Sequence, residues 1–307
     1  MKFLITGANG DIARSICRII KNEYKRSVVH GTDINEKGPG EYLYDKIYKV
    51  SHKNNLNYLN KIKKISKNYK IIIPTTENEI SFFSKNKKHF EKKLILINSN
   101  KIIENFSTKL KTYKMLKKYN FGVPSFSLRL DWVKKFNKSF FIKTNIGHGN
   151  RNYKLIKSRK DFEELKNLNK KDWIAQEFLD KNYDEYTCAV IQLGTFKDVI
   201  ILNRRLDKGY TYFAEVVDSN YLKNILIKLA KIIKLNGSIN VQLKINKKRY
   251  AIFEINPRLS STVMMRHKIG FKDCIWWVNF VVKNKIPKTN YKIKKKKIIK
   301  FVDEKFI

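Results

Sequence analysis

Short apolar runs alternate with amphipathic stretches over the first hundred residues. Lys2–Thr6 (KFLIT) is apolar, and Gly7-Ala8-Asn9-Gly10-Asp11-Ile12-Ala13 then leads into a helical pattern through Ile20. Ser27–Thr32, Ile71–Ile73 and Leu94–Ile97 repeat the apolar signature, with helical stretches around Leu56–Lys67 and Glu79–Lys88 between them. Strands alternating with helices predict a parallel sheet of roughly four strands covered by helices.

The pattern then changes. Thr108 is placed to cap a helix running to Tyr119, which Gly122 and Pro124 close. Ser139–Lys143 reads as a strand, Thr144–Asn150 as a glycine-bearing loop and Tyr153–Ile156 as a second strand, followed by a helix near Lys160–Leu168. Further strands are expected at Trp173–Leu179, from Asp184, at Val199–Asn203 and at Tyr210–Val217, with Arg204 and Arg205 between strands and facing phosphate or solvent, and a helix at Asn220–Leu235. The chain is therefore α/β in its first third and α+β afterwards. Past residue 285 the alternation of Ile298–Val302 fits an edge strand as well as a mobile tail.

One stretch carries unusual polar positions. Gly237–Ser261 (GSINVQLKINKKRYAIFEINPRLSS) places two apolar runs around a basic turn, which predicts a β-hairpin of Ser238–Ile245, a turn near Asn246–Arg249 and Tyr250–Ile255. A three-residue loop at Lys247–Arg249 would set Gln242 opposite Glu254, with Asn256 two residues further on the same face and Arg258 just beyond. An amide, a carboxylate and a second amide are oxygen donors of the kind Mg²⁺ takes while keeping waters and phosphates in its shell. Read alone, the same residues fit the solvated face of an edge strand more readily.

Composition narrows the classes. With 307 residues and 42% hydrophobic residues, the chain can bury a core and hold two domains or more. Neither an uncharged apolar stretch of about 18 residues nor a signal-peptide apolar region is present, so a cytoplasmic protein is expected. Cys17, Cys188 and Cys274 are too scattered for a disulfide framework or a zinc site and read as core thiols. The charge of +39 would draw polyanions. The lysines are spread over the whole chain, however, and only Lys292–Lys297 is a dense run, so nucleic acid is not the expected partner.

Candidate chemistry lies mostly in the middle third. Lys109 sits in the first turn of its helix, where a cation opposes the helix dipole. Lys143 ends an apolar strand, and the following loop could fold its backbone N–H groups over phosphates. The strand ending at Glu177-Phe178-Leu179 offers free backbone groups beside apolar side chains, suited to a purine edge, and Glu185 could accept from ribose hydroxyls. A rival reading uses Gly7-x-x-Gly10-x-x-Ala13 with Asp33 as a dinucleotide fingerprint. It makes the chain an NAD(P)-dependent short-chain dehydrogenase or epimerase, for which Tyr42/Lys46 and Tyr113/Lys117 are formal Tyr-x-x-x-Lys matches.

The order of these elements, up to about residue 283, resembles the ATP-grasp superfamily, and most closely its carbamoyl-phosphate-synthetase and biotin-carboxylase-like branch. The most specific part is GSINVQLKI…YAIFEINPRLSS, similar to the family signature in which Gln or Glu on one strand joins Glu-x-Asn-x-Arg on the next. The resemblance implies a Rossmann-like pre-ATP-grasp domain over residues 1–103, which binds no dinucleotide. Its pattern is fitted by Pro74 and Glu77-Asn78-Glu79. It implies a two-lobed ATP-grasp domain over 104–285, with a small lobe at about 108–172 and a large lobe at about 173–285, then a basic tail at 286–307. It implies Mg²⁺, or Mn²⁺ in its place, on Gln242, Glu254 and Asn256, and Arg258 on the transferring phosphate or acyl-phosphate. ATP is implied on Lys109, Lys143, Gly147, Gly149, Glu177, Phe178, Leu179 and Glu185. His148-Gly149-Asn150 departs from the usual Gly-Ser run of the flap, and Lys109 follows Thr where Asp is commoner. The expected activity is an ATP-dependent ligase joining a small-molecule carboxylate to an amine, in a chain compatible with a homo-oligomer.

Overall fold

The computed structural model describes residues 1–52, 57–128, 139–146, 153–163, 173–207, 209–287 and 297–301. Strands β1 (Lys2–Thr6), β2 (Val28–Asp33), β3 (Lys46–Lys49), β4 (Ile71–Ile73) and β5 (Leu94–Ile95) form a parallel sheet in the order β3-β2-β1-β4-β5. β3 is the strand the apolar pattern missed. Its sequence KIYK carries a lysine at each end, as a sheet edge tolerates.

Side chains alternate across this sheet. Phe3, Ile5, Ile71 and Ile73 enter one core, whereas Leu4 and Ile72 enter another with helix α2 (Asn57–Ser66) and helix α3 (Glu77–Lys85). Helix α1 (Asp11–Glu23) buries Ala13, Ile16, Cys17 and Ile20, the spacing of one helical face. Helix α4 (Asn100–Asn105) then carries the chain out of the first domain.

Helix α5 (Lys109–Lys118) begins at the expected cap: the Thr108 side chain accepts from the Lys111 N–H at 3.2 Å. It opens a four-stranded antiparallel sheet of β6 (Phe126–Ser127), β7 (Phe140–Thr144), β8 (Tyr153–Ile156) and β9 (Trp173–Glu177), in the order β6-β9-β7-β8. Helix α6 (Arg159–Glu163) follows β8. Because β9 pairs with β6 and β7, this sheet runs through Glu177.

The largest sheet has the order β14-β13-β10-β11-β12-β15, from β10 (Asp184–Leu193), β11 (Phe196–Asp207), β12 (Tyr210–Val216), β13 (Gly237–Ile245), β14 (Tyr250–Asn256) and β15 (Lys297–Ile299). β15 settles the two readings of the tail, since it pairs antiparallel with β12 as an edge strand. Helix α7 (Asn220–Ile232) covers one face through Leu222, Leu226 and Leu229. The opposite face joins the first domain in one continuous core. There Ala189, Ile191, Ile200 and Leu202 pack with α1 and with helices α8 (Val263–Lys268) and α9 (Asp273–Lys283). No described helix is long and apolar enough to cross a membrane.

Two features fix the hairpin β13–β14 in this frame. Under its far end lies a buried ion pair: Arg266 donates to Asp273 at 3.0 and 2.8 Å, and to the Ser260 and Thr262 hydroxyls at 2.8 and 2.9 Å. A buried pair is costly to desolvate unless its remaining hydrogen bonds are met, and here Ser238 also donates to Asp273 at 3.0 Å. Beside the hairpin, the Gly122 carbonyl accepts from the Ile252 N–H at 2.8 Å, and a Cβ on Gly122 would stand 2.3 Å from the Tyr250 carbonyl oxygen. Only glycine allows that approach. Gly122→Ala is therefore expected to cost about 1–3 kcal/mol, as overpacking does, read as a lower urea midpoint; an unchanged midpoint would contradict the packing.

Candidate functional site

The hairpin sets Gln242 opposite Glu254 and Asn240 opposite Asn256, but by a different route from the expected one. The last pair before the turn is Ile245 with Tyr250, so the loop is the whole expected turn, Asn246–Arg249, and not the three residues on which the expected register is counted. The Asn246 side chain closes it by accepting from the Lys248 and Arg249 N–H groups, both at 2.9 Å. The register then slips between Gln242 and Leu243, because Leu243 pairs with Ile252 and Gln242 with Glu254. Phe253 is the extra residue of a β-bulge. Without it Glu254 would point to the face that carries Val241 and the apolar core; with it Glu254 shares a face with Gln242.

Tyr113 of α5 holds that bulge. Its fully buried hydroxyl lies 2.9 Å from the Phe253 carbonyl and 2.5 Å from the Gln176 amide oxygen on β9, and donates one proton between them. One side chain thus joins the small sheet, the first helix of the lobe and the bulge.

Around Glu254 the sequence-predicted lysines converge. The Lys109 Nζ donates to the Thr144 carbonyl at 2.9 Å, and its own N–H to the Asn145 carbonyl at 3.1 Å. The Leu110 N–H donates to the Asn145 side chain at 2.9 Å. These bonds dock the end of β7 on the start of α5 and bring Lys143 beside Lys109. Burial, then the charge of Lys109, pushes the Lys143 amine down to about 8, against the opposing pull of Glu254 and Glu185. Burial also lowers Lys109, with Glu254 again opposing. The Glu254 carboxylate makes no hydrogen bond or ion pair among the described residues, and neither does the Asn256 amide. Lys109, Thr112, Asn145, Phe253 and Glu254 line a recess between the lobes.

Glu185 opens β10 on the same face. Its Oε1 accepts from Arg204 Nε and Nη2 at 3.0 and 2.6 Å, and the same Nη2 donates to Gln242 Oε1 at 2.8 Å. Lys244 lies 3.8 Å from Glu185 and donates to the Leu179 carbonyl at 2.8 Å. Lys244 is not among the residues the sequence singles out, and Arg204, expected between strands, lies within β11. Their signal is positional: Lys244 stands two residues beyond Gln242, on the same face. At the hinge, Glu177 accepts from the Ser125 N–H at 3.1 Å and pairs with Arg249 of the hairpin turn, while the Phe178 N–H donates to the Ser139 carbonyl at 3.2 Å.

Arg258 stands apart from the lysines. Its guanidinium donates to Glu77, at the start of α3, and to the Leu259 carbonyl at 2.9 Å. It lines a small cavity with Pro74, Thr75 and Leu96 at the C-terminal ends of β4 and β5. Asn98 ties the same seam, donating to the Ser238 and Pro257 carbonyls at 2.8 and 2.9 Å. Gly147 and Gly149 lie outside the described residues, as does most of the basic run at Lys292–Lys297.

The residues of the dinucleotide reading are spent on the fold. Asp33 accepts from the Asn9 and Asn35 N–H groups at 2.9 and 3.1 Å, and Gly38–Gly40 packs against Asn9 and the Ala8 carbonyl. Tyr42 accepts from Arg18 at 2.8 Å, and Tyr113 is the buried tie already described. All three cysteines are buried and free.

Residues 3–97 match the family described as PylC-like, N-terminal domain, and residues 169–303 match ATP-grasp in the biosynthetic pathway with Ter operon. The fold is similar to an N5-carboxyaminoimidazole ribonucleotide synthetase solved with ADP (TM-score 0.76, 14% identity, 97% of this chain and 80% of that one). The enzyme of the same name from Thermus thermophilus gives a TM-score of 0.78 at 12% identity, over 99% of this chain and 84% of that one. Biotin carboxylase from Campylobacter jejuni gives 0.70 at 16% identity, over 93% and 72%. No curated protein sequence matches the chain. The chain has an ATP-grasp architecture with a PylC-like first domain.

Two outcomes are expected of this geometry. Tyr113→Phe takes the donor from the half-buried Phe253 carbonyl, a loss of about 1 kcal/mol in unfolding free energy; a wild-type denaturation curve would contradict the tie. In the free protein the Lys143 amine should be acylated with a midpoint near pH 8, not near 10.5, the ordinary lysine value. Glu254→Gln should lower that midpoint further, because it removes a charge that favours the ammonium. A midpoint that rises in the variant would contradict the placement.

Proposed function

We propose that this chain is an ATP- and Mg²⁺-dependent ligase that activates a substrate carboxylate as an acyl-phosphate and joins it to an amine or similar nucleophile. The observation that carries the reading is the meeting of two desolvated lysines with a carboxylate that has no ion pair among the described residues. A cation that has lost its water gains most when a polyanion arrives beside it. The similar folds that hold ADP support the same reading.

The donor set fits Mg²⁺. Among the described residues, Glu254 and Asn256 offer hard side-chain oxygen atoms without hydrogen bonds, and there is no cage of three or more His, Cys, Asp or Glu side chains. Mg²⁺ is commonly held in that sparse way, with phosphates and waters completing its shell. When bound, it supplies charge neutralisation and orientation at the phosphate oxygens.

The protein's own contribution is positioning and electrostatics. Lys109 and Lys143 reach the phosphates from the small lobe, and Gly147 and Gly149 are assigned to the flap over them. At the hinge the Phe178 N–H is already used, so the Leu179 N–H is assigned to the base edge, together with the Glu177 carbonyl, which accepts a long bond from the Gln176 amide at 3.4 Å and keeps a second lone pair. Glu185 is assigned to the ribose. Arg258, held by Glu77 at the seam between domains, is assigned to the acyl-phosphate as the second substrate attacks. Glu254→Ala should abolish carboxylate-dependent ADP release while the circular dichroism spectrum stays that of the wild type. An active Glu254→Ala protein would sink the assignment. A screen of amino acids and sugar acids for stimulated ADP release would then name the carboxylate.

A further inference from the structure

Arg204 lies on β11, facing the same side of the sheet as Glu185 and Gln242, and its side chain is 10% exposed. Two of its nitrogens are committed: Nε and Nη2 grip Glu185, and Nη2 also donates to Gln242 Oε1 at 2.8 Å. Nη1 has no partner among the described residues. The guanidinium is therefore clamped on one edge and open on another.

This arrangement bears on how many metal ions the hairpin can take. Sites that work on phosphates can hold two divalent ions bridging the same oxygens. Here the two facing positions of the hairpin differ in charge. Glu254 is a carboxylate with no ion pair among the described residues, whereas Gln242 is a neutral amide. The Gln242 oxygen is the atom through which that side chain would bind a hard cation, and it already accepts from a guanidinium. An ion on that oxygen would meet a fixed positive charge within hydrogen-bond range, and arginine does not give up its proton. Glu185, the acid that could offset the repulsion, is itself occupied by the same guanidinium.

We propose that Arg204 takes the place of a second metal ion. The site then binds one divalent cation, on the Glu254 and Asn256 side. The open edge of Arg204 supplies the other positive charge to a phosphate oxygen on the Gln242 side, with planar, directional donors that an ammonium would lack. Gln242 acts as a spacer that orients the guanidinium and is not a metal ligand. The inference rests on the nucleotide reading above.

The test counts ions. Mn²⁺ is titrated into the full chain at saturating ADP, and free Mn²⁺ is read by electron paramagnetic resonance. One tight Mn²⁺ per chain is expected for the wild type, and two for the double variant Arg204→Ala/Gln242→Glu, in which the repulsion is gone and a second carboxylate is present. Two tight ions on the wild type would overturn the proposal, as would a single ion on a folded double variant. Absence of any ADP-dependent Mn²⁺ binding would instead overturn the nucleotide reading itself, so the two failures are distinct. A calorimetric ADP titration of Arg204→Ala and Arg204→Lys at fixed Mn²⁺ supplies a second measurement. About a tenfold loss of affinity in the alanine variant, partly restored by lysine, is expected; wild-type affinity in the alanine variant would contradict the phosphate contact.

Discussion

The hydrogen bond from the Tyr113 hydroxyl to the Phe253 carbonyl decides which way Glu254 points. A strand alternates its side chains strictly, so one extra residue reverses every position that follows it. Phe253 is that residue, and its carbonyl leaves the regular ladder. A half-buried carbonyl without a donor is costly. Tyr113 supplies the donor from α5, while its contact with Gln176 ties the same point to the small sheet. The carboxylate that faces the two lysines is thus set by a helix and a sheet that belong to the other lobe. The geometry of the site and the association of the lobes are one problem with one solution.

Charge completes it. Burial lowers both Lys109 and Lys143, the charge of Lys109 lowers Lys143 further, and Glu254 and Glu185 offset this only in part. The protein has gathered a net demand for negative charge in the recess between its lobes. The +39 of the whole chain could not reveal this, because lysines in every segment raise the total without locating it. What locates it is burial: a solvated lysine is indifferent to a phosphate at the distances where a buried one is not.

Much of the frame was legible in the chain. Alternating strands and helices named the parallel first domain, and Thr108 marked the start of α5. The turn at Asn246–Arg249 was legible, and the partnership of Gln242 with Glu254 was reached through two errors that cancel: the three-residue loop used to count the register is one residue short, and the bulge restores the register. Bulges leave no mark in an apolar pattern, since Phe253 looks like any strand residue. β3 was missed because its lysines suit an edge. α8 is a helix of six residues, and α9 is apolar around most of its circumference and has no period to read. Arg204 and Tyr113 carry other readings in the sequence, the one as a residue between strands and the other in a formal Tyr-x-x-x-Lys pair. Their roles depend on partners 38 and 140 positions away, and those distances belong to the topology of the sheets.

The central claim is that nucleotide and metal meet on the hairpin face that the bulge turns toward the lysines. Its most direct test is a calorimetric titration of ADP into the wild-type chain, once with Mg²⁺ and once with the metal removed by chelation. Linkage requires that a metal held jointly by protein and phosphate tighten nucleotide binding. The account predicts ADP affinity at least tenfold higher with Mg²⁺, about 1.4 kcal/mol. ADP binding of equal strength with and without the metal would contradict it.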